Sequence, residues 1–161
     1  MTIRKRQHVV NGERTRRTAA GDAFSLFAIT ALRLAGHLTK AGDAIARPAG
    51  QTSARWQVLA GARHETMSVA QIAKSLGVAR QGVQRLADLL EAEGLVAYVD
   101  NANHQRAKLV VLTRDGRAAL AVIDAGQARW ANALGAQLDE KLLEQATSAM
   151  ALVIESLKTA R

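Results

Sequence analysis

The sequence predicts a mainly α protein with one small β-hairpin, and three observations carry that expectation. The 161 residues are 48% apolar but only 3% aromatic, with Ala and Leu filling much of the apolar share, and these two are strong helix formers. Apolar residues recur at steps of three and four along most of the chain, the period of an amphipathic helix. One stretch departs from this period: two short β-branched runs flank a polar loop, the signature of a hairpin. A single proline, Pro48, interrupts the whole.

The N-terminal stretch, residues 1–21, reads as a basic and flexible arm. Arg4, Lys5, Arg6, Arg14, Arg16 and Arg17 stand there against Glu13 alone, so most of the net charge of +8 precedes the first helix. Such an arm suits a polyanion, usually nucleic acid, or simply stays solvated. Arg16-Arg17 ahead of the apolar run from Phe24 to Leu32 mimics a secretory signal. Asp22 separates the two, the run is short, and Arg33 is expected to end it. No stretch then spans a membrane. The spacing Phe24, Phe27, Ala28, Ala31, Leu34, Ala35, Leu38 instead predicts a first amphipathic helix.

Gly42 to Gln51, with Pro48 and Gly50, reads as a connection. Thr52 or Ser53 can cap a second helix with Trp56, Leu59 and Ala60 on one face. Ser68 can cap a short third helix through Leu76, with Val69, Ile72, Ala73 and Leu76 turned inward, and Gly77 suits the left-handed residue that ends it. A fourth helix follows from Arg80 to Glu93, with Val83, Leu86, Leu89 and Leu90 apolar, and Gly94 stops it. Leu95–Val99 and Leu109–Leu112 are the predicted strands, joined by the polar loop Asp100 to Arg106. Thr113 can cap a long helix bearing Leu120, Ile123, Gln127, Trp130 and Leu134. A last helix from about Asp139 repeats Leu142, Ala146, Met150, Val153 and Leu157. These long helices carry more apolar surface than the small body needs, so they are expected to pack on a partner, together with the first helix.

The third and fourth helices have the parts of a helix-turn-helix, in which one helix braces a second that enters the major groove. Ile72, Ala73, Leu76, Val78, Val83 and Leu86 form the predicted buried set, and Gly77 makes the turn. The outward face of the second helix offers Arg80, Gln81, Gln84 and Arg85. Arg suits guanine edges and Gln adenine edges. The acids Asp88, Glu91 and Glu93 fall in the second half of that helix, leaving its first half free to approach phosphate. In the hairpin, Arg106 and Lys108 can reach the adjacent minor groove or its phosphates. The fold class is therefore a winged helix-turn-helix flanked by N- and C-terminal dimerisation helices. Residues 52–113 hold the second helix and the winged unit, residues 22–48 and 114–161 the dimerisation helices, and residues 22–161 form one domain.

The run SVAQIAKSLGVARQGVQRLADLLEAEGLVAYVDNANHQRAKLVVLT resembles the winged helix of the multiple-antibiotic-resistance regulator (MarR) family. The flanking helices, two before and two after, extend the resemblance over residues 22–158, and TSARWQVL is similar to the family's second helix. The resemblance implies a homodimer that sets two winged helices over a pseudo-palindromic operator in double-stranded DNA. It also implies transcriptional repression in the cytoplasm, relieved by a small ligand such as an aromatic acid or phenol. Arg33, His37, Arg55, Trp56, Arg63 and His64 lie on segments that could border the ligand pocket. Two departures stand out. The wing reads His104-Gln105-Arg106 where the family commonly has Asp-Arg-Arg, and Ala79 replaces the usual Ser or Thr cap, worth about 1 kcal/mol.

Other classes find less support. His64-Glu65 begins like the zinc motif HExxH, but its fifth position is Ser68, and His8, His37, His64 and His104 share no ligand spacing. Phosphate-loop, dinucleotide and nucleophile-elbow motifs are missing from the sequence. No cofactor and no catalysis are expected. With no cysteine there is no disulfide or thiolate site, as suits a reducing cytosol. A winged helix used for protein contact or DNA architecture, without ligand sensing, is the alternative, and the protein-contact form would expose apolar anchors where this chain has Arg and Gln.

Overall fold

The computed structural model describes residues 16–64, 66–102 and 107–160. Arg4, Lys5, Arg6, His8, Glu13 and Arg14 of the arm, Glu65, and His104, Gln105 and Arg106 of the wing lie outside the described residues. The chain divides into two compact units, Met1–His37 and Leu38–Arg161.

The described part of the first unit is the front of a long helix, α1 (Ala19–Ala46). Thr18 starts it, its Oγ1 accepting the Gly21 N–H at 3.0 Å, a side-chain cap for an orphan amide. Arg17 stands 3.7 Å from Asp22, a cation and an anion close to the helix start. The rings of Phe24 and Phe27 stack with centroids 6.5 Å apart. Arg33 interrupts the apolar run without ending the helix, which continues past the predicted stripe to Ala46, because an arginine is a good helix former. Ala19–Ala49 is consequently long and apolar enough to cross a membrane by length and composition, with a mean hydropathy of 1.2. That corrects the expectation that no stretch is long enough to span a membrane.

The second unit begins at Leu38, within α1. Gly42 is buried there because any Cβ would stand 2.6 Å from Ser53 Oγ. Beside it, Asp43 Oδ1 accepts the Ser53 N–H at 2.7 Å. A short 3-10 turn, Arg47–Ala49, leads to α2 (Ser53–Ala62), capped by Thr52. Ser53, Val58, Leu59 and Ala62 are its buried residues, while Trp56 and Ala60 are half-buried. Next comes α3 (Val69–Leu76), opened by a reciprocal capping box in which Ser68 accepts from the Gln71 amide and Gln71 accepts from the Ser68 N–H. It ends on Gly77, at φ 68°, in the left-handed region predicted for it.

α4 (Arg80–Ala92) packs on α3 and α2 through Val83, Ala87 and Leu90. A two-stranded antiparallel sheet follows, β1 (Val96–Val99) and β2 (Leu109–Leu112), with Val96 opposite Leu112 and Val99 opposite Leu109. β2 also bridges backward: Ser68 pairs with Leu109, and Val110 N–H donates to Met67 O at 2.9 Å. One continuous core, from Ala46 through Leu59, Ile72 and Leu90 to Ile123, unites these elements. Val78 was expected in it but is half exposed. It follows the left-handed Gly77, and its amide rather than its side chain is turned inward, donating to Ala73 O.

The last helices are α5 (Arg114–Gly135) and α6 (Glu140–Thr159), capped by Thr113 and Asp139 as their sequences predict. Gly116 is required by close approach, since a Cβ would run into the backbone carbonyl of Leu95. Thr113 holds that junction, donating to Gly94 O at 2.7 Å and accepting from Gly116 N–H at 3.0 Å. Only the front of α5 is buried, and α6 has no buried residue at all. Leu134, Leu138, Leu142, Leu152, Ile154 and Leu157 are exposed.

Candidate nucleic-acid interface

The exposed face of α4 and the neighbouring wing strand form the site. The apolar stripe Val83, Ala87, Leu90 locks α4 onto the core, so Arg80, Gln81 and Arg85 are exposed and Gln84 is half-buried at the edge. Gln81, Gln84, Arg85, Asp88 and Leu89 line one open groove along the helix. A second cleft, about 470 Å³, runs between the start of α3, the start of α4 and the wing. Its lining includes Ser68, Arg80, Gln84, Tyr98 and Lys108. Five of the six sequence-predicted contact residues thus converge on adjoining surfaces, with Gln84 common to both. The sixth, Arg106, is outside the described residues.

The local chemistry suits an anion. Ala79 has extended backbone and gives the helix no side-chain cap, as its sequence implies, so the first turn of α4 keeps unclaimed N–H groups beside Arg80. Two of the acids at its far end are occupied elsewhere. Arg55 of α2 pairs with Glu93, and Asp88 accepts from two partners. Gln84 Nε2 donates to Asp88 Oδ1 and to Tyr98 Oη, both at 2.8 Å, and Tyr98 Oη donates to Asp88 Oδ1 at 2.7 Å. Burial, then the Asp88 carboxylate with Glu91 behind it, raises the Tyr98 phenol well above its ordinary value and keeps it protonated.

Sequence reasoning missed this triangle. Its signals were the four-residue spacing of Gln84 and Asp88 and a lone tyrosine in a strand, whose hydroxyl needs a partner. Nothing in the sequence pointed to Arg55 with Glu93, or to Arg63, whose guanidinium is 2.7 Å from both oxygens of Asp124 on α5. These pairs engage two of the residues expected at a ligand pocket. Trp56 packs against the core, and His64 is exposed. Arg33 and His37 are exposed on α1, in the first unit. Among the described residues no cluster of His, Cys, Asp or Glu could hold a metal.

Comparison with known proteins places these features in a family. A sequence profile of the MarR family matches residues 51–107, the second helix through the wing. The uncharacterized protein Rv2011c of Mycobacterium tuberculosis is 37% identical over 128 residues, covering 80% of this chain and 90% of that one. Among solved structures, the M. tuberculosis transcriptional regulator MosR in complex with DNA is similar at 25% identity and a TM-score of 0.65, over 81% of this chain and 96% of that one. CouR, a transcriptional repressor bound to a 23-mer DNA duplex, aligns at 23% identity and a TM-score of 0.71, over 86% and 99%. The Rhodococcus jostii CouR is also known bound to p-coumaroyl-CoA, at 22% identity and a TM-score of 0.65, over 86% and 95%. With the capped helix-turn-helix and hairpin described above, the chain belongs to the MarR family of winged-helix transcription regulators, which are DNA-binding proteins and not enzymes.

Proposed function

We propose that the chain is a homodimeric repressor that reads a pseudo-palindromic operator in double-stranded DNA. One observation carries the reading: Arg80, Gln81, Gln84, Arg85 and Lys108 line two adjoining surfaces at the start of α4 and the wing. In this reading α4 enters the major groove, while Lys108 and Arg106 hold the flanking backbone or minor groove. The exposed leucines of α1, α5 and α6 are covered by a second copy rather than by lipid. Arg33, His37 and Lys40 interrupt α1, and α6 presents a matching apolar surface. Two heads then address half-sites about one helical turn apart, and the protein works in the cytoplasm, beside its DNA. Titration of genomic fragments by fluorescence anisotropy, repeated at rising salt, tests it. Affinity falls steeply with salt and one two-fold fragment outcompetes the rest. Salt-independent binding, or equal binding to every fragment, overturns the proposal.

A small aromatic or phenolic acid is the proposed modulator, with Arg55, Trp56 and Arg63 of the second unit at its pocket. Arg55 supports this, because its Nε is buried with no hydrogen-bond partner among the described residues, a donor that a ligand carboxylate would satisfy. CouR with its aromatic acyl-CoA is the precedent for the fold. Adding benzoate, salicylate or p-coumarate to the DNA complex should release the duplex, and Arg55→Ala should abolish the release. Retention of the duplex with all three acids refutes this modulator.

A further inference from the structure

We propose that Tyr98 and Asp88 are positioning residues that lock the Gln84 amide so that it presents only its carbonyl oxygen to a base edge. The operator position facing Gln84 is then chosen for an exocyclic amine, adenine N6 or cytosine N4. This rests on the DNA-reading role of α4 proposed above.

The argument is one of counting protons. A carboxylate only accepts, so the hydroxyl hydrogen of Tyr98, 2.7 Å from Asp88 Oδ1, is donated to it. The phenol oxygen then has only lone pairs left to offer. Gln84 is 2.8 Å away and must therefore face it with the amino end of its amide. The same amino group has a second hydrogen, which goes to Asp88 Oδ1 at 2.8 Å. Both donors of Gln84 are consumed inside the protein. Its Oε1 remains as the atom it can offer to a ligand, and Gln84 lines both surfaces of the interface.

That assignment alters what a glutamine usually reads. Bidentate recognition of adenine needs one donor and one acceptor, and here the donor is spent. An acceptor alone pairs with adenine N6 or cytosine N4 and meets repulsion at guanine O6 or thymine O4. Tyr98 is half-buried against the core and Asp88 lies one turn along α4, so the lock is anchored on two elements and turns with neither side chain alone. The raised phenol supports the same picture, because it keeps the donated proton in place across physiological pH.

Selection from a randomised duplex pool, read by sequencing, tests the proposal on the full chain. Wild type should enrich adenine or cytosine at one position of each half-site, and Gln84→Ala should lose that preference alone. Tyr98→Phe frees one amide hydrogen. It should relax that same position by roughly threefold to tenfold, admitting guanine or thymine, while every other position and the salt dependence hold. Asp88→Asn permits the amide to turn and should relax the same position, which keeps the question open to decision if the phenylalanine variant folds poorly. A Gln84-dependent preference unchanged in Asp88→Asn and in any folded Tyr98→Phe overturns the lock, as does a Gln84-dependent position that selects guanine or thymine. A wild type that enriches nothing removes the DNA-reading role itself, whereas enrichment that Gln84→Ala leaves intact removes only this inference.

Discussion

The winged unit and the long helices solve the problem of apolar surface in opposite ways. Between Thr52 and Thr113 each helix has a buried stripe, and three of the four helix starts nearby are capped by a side chain. The exception, Ala79, opens the helix that faces the proposed ligand. In α6 the caps are just as good, yet no residue is buried and Leu152 is 72% exposed. Local helix chemistry is therefore equally sound in both regions, and only one of them supplies its own packing partner. The lesson is that capping decides where a helix begins, whereas burial decides whether it is finished.

Substitutions can break or sharpen this contrast. The largest effect is expected from Leu90→Ala, fully buried at the centre of the winged unit, which should cost about 2–5 kcal/mol in thermal or urea unfolding. Leu152→Asp with Ile154→Asp, on exposed α6, should leave helix content intact but weaken the proposed dimer by roughly 100-fold, or about 3 kcal/mol. Analytical ultracentrifugation in detergent-free buffer reads it, and an unchanged sedimentation profile would return α6 to the class of solvated helices. Arg80→Ala should reduce specific affinity by about 1–3 kcal/mol if it reads a base. A phosphate contact would instead lower the salt slope by about one, with fold and dimer unchanged. Ser68→Ala removes half of a capping box and should cost about 1 kcal/mol.

The smallest effect concerns pH. The folded state holds the Tyr98 proton above the ordinary value of 10.0. Its contribution to stability is whole below about pH 10 and drains away as pH rises through the raised value. The urea midpoint should accordingly fall only on the alkaline side. Because the chain has one tyrosine, its phenolate absorbance should appear later in folded than in unfolded protein.

The elements of the fold were legible because each is punctuated locally. Thr52, Ser68, Gly77, Gly94, Thr113 and Asp139 mark helix ends by side-chain or backbone chemistry that acts within a few residues. The site was legible in outline, since Val83, Leu86 and Leu90 fix which residues of α4 face outward, although Leu89 is exposed and Ala87 takes a buried place. Its hydrogen bonding was not. Tyr98 to Gln84 and Arg55 to Glu93 join residues 14 and 38 apart, and only tertiary packing brings such pairs together.

The backward bridge of β2 has a consequence for control. Leu109 and Val110 are tied to Ser68 and Met67, so the strand that returns from the wing is stitched to the residue that starts α3. The strands of the hairpin are in effect the outer edge of the helix-turn-helix, tied to it at the root of β2. In the proposed homodimer, a signal would therefore act by resetting the stride between its two heads rather than by bending a wing away.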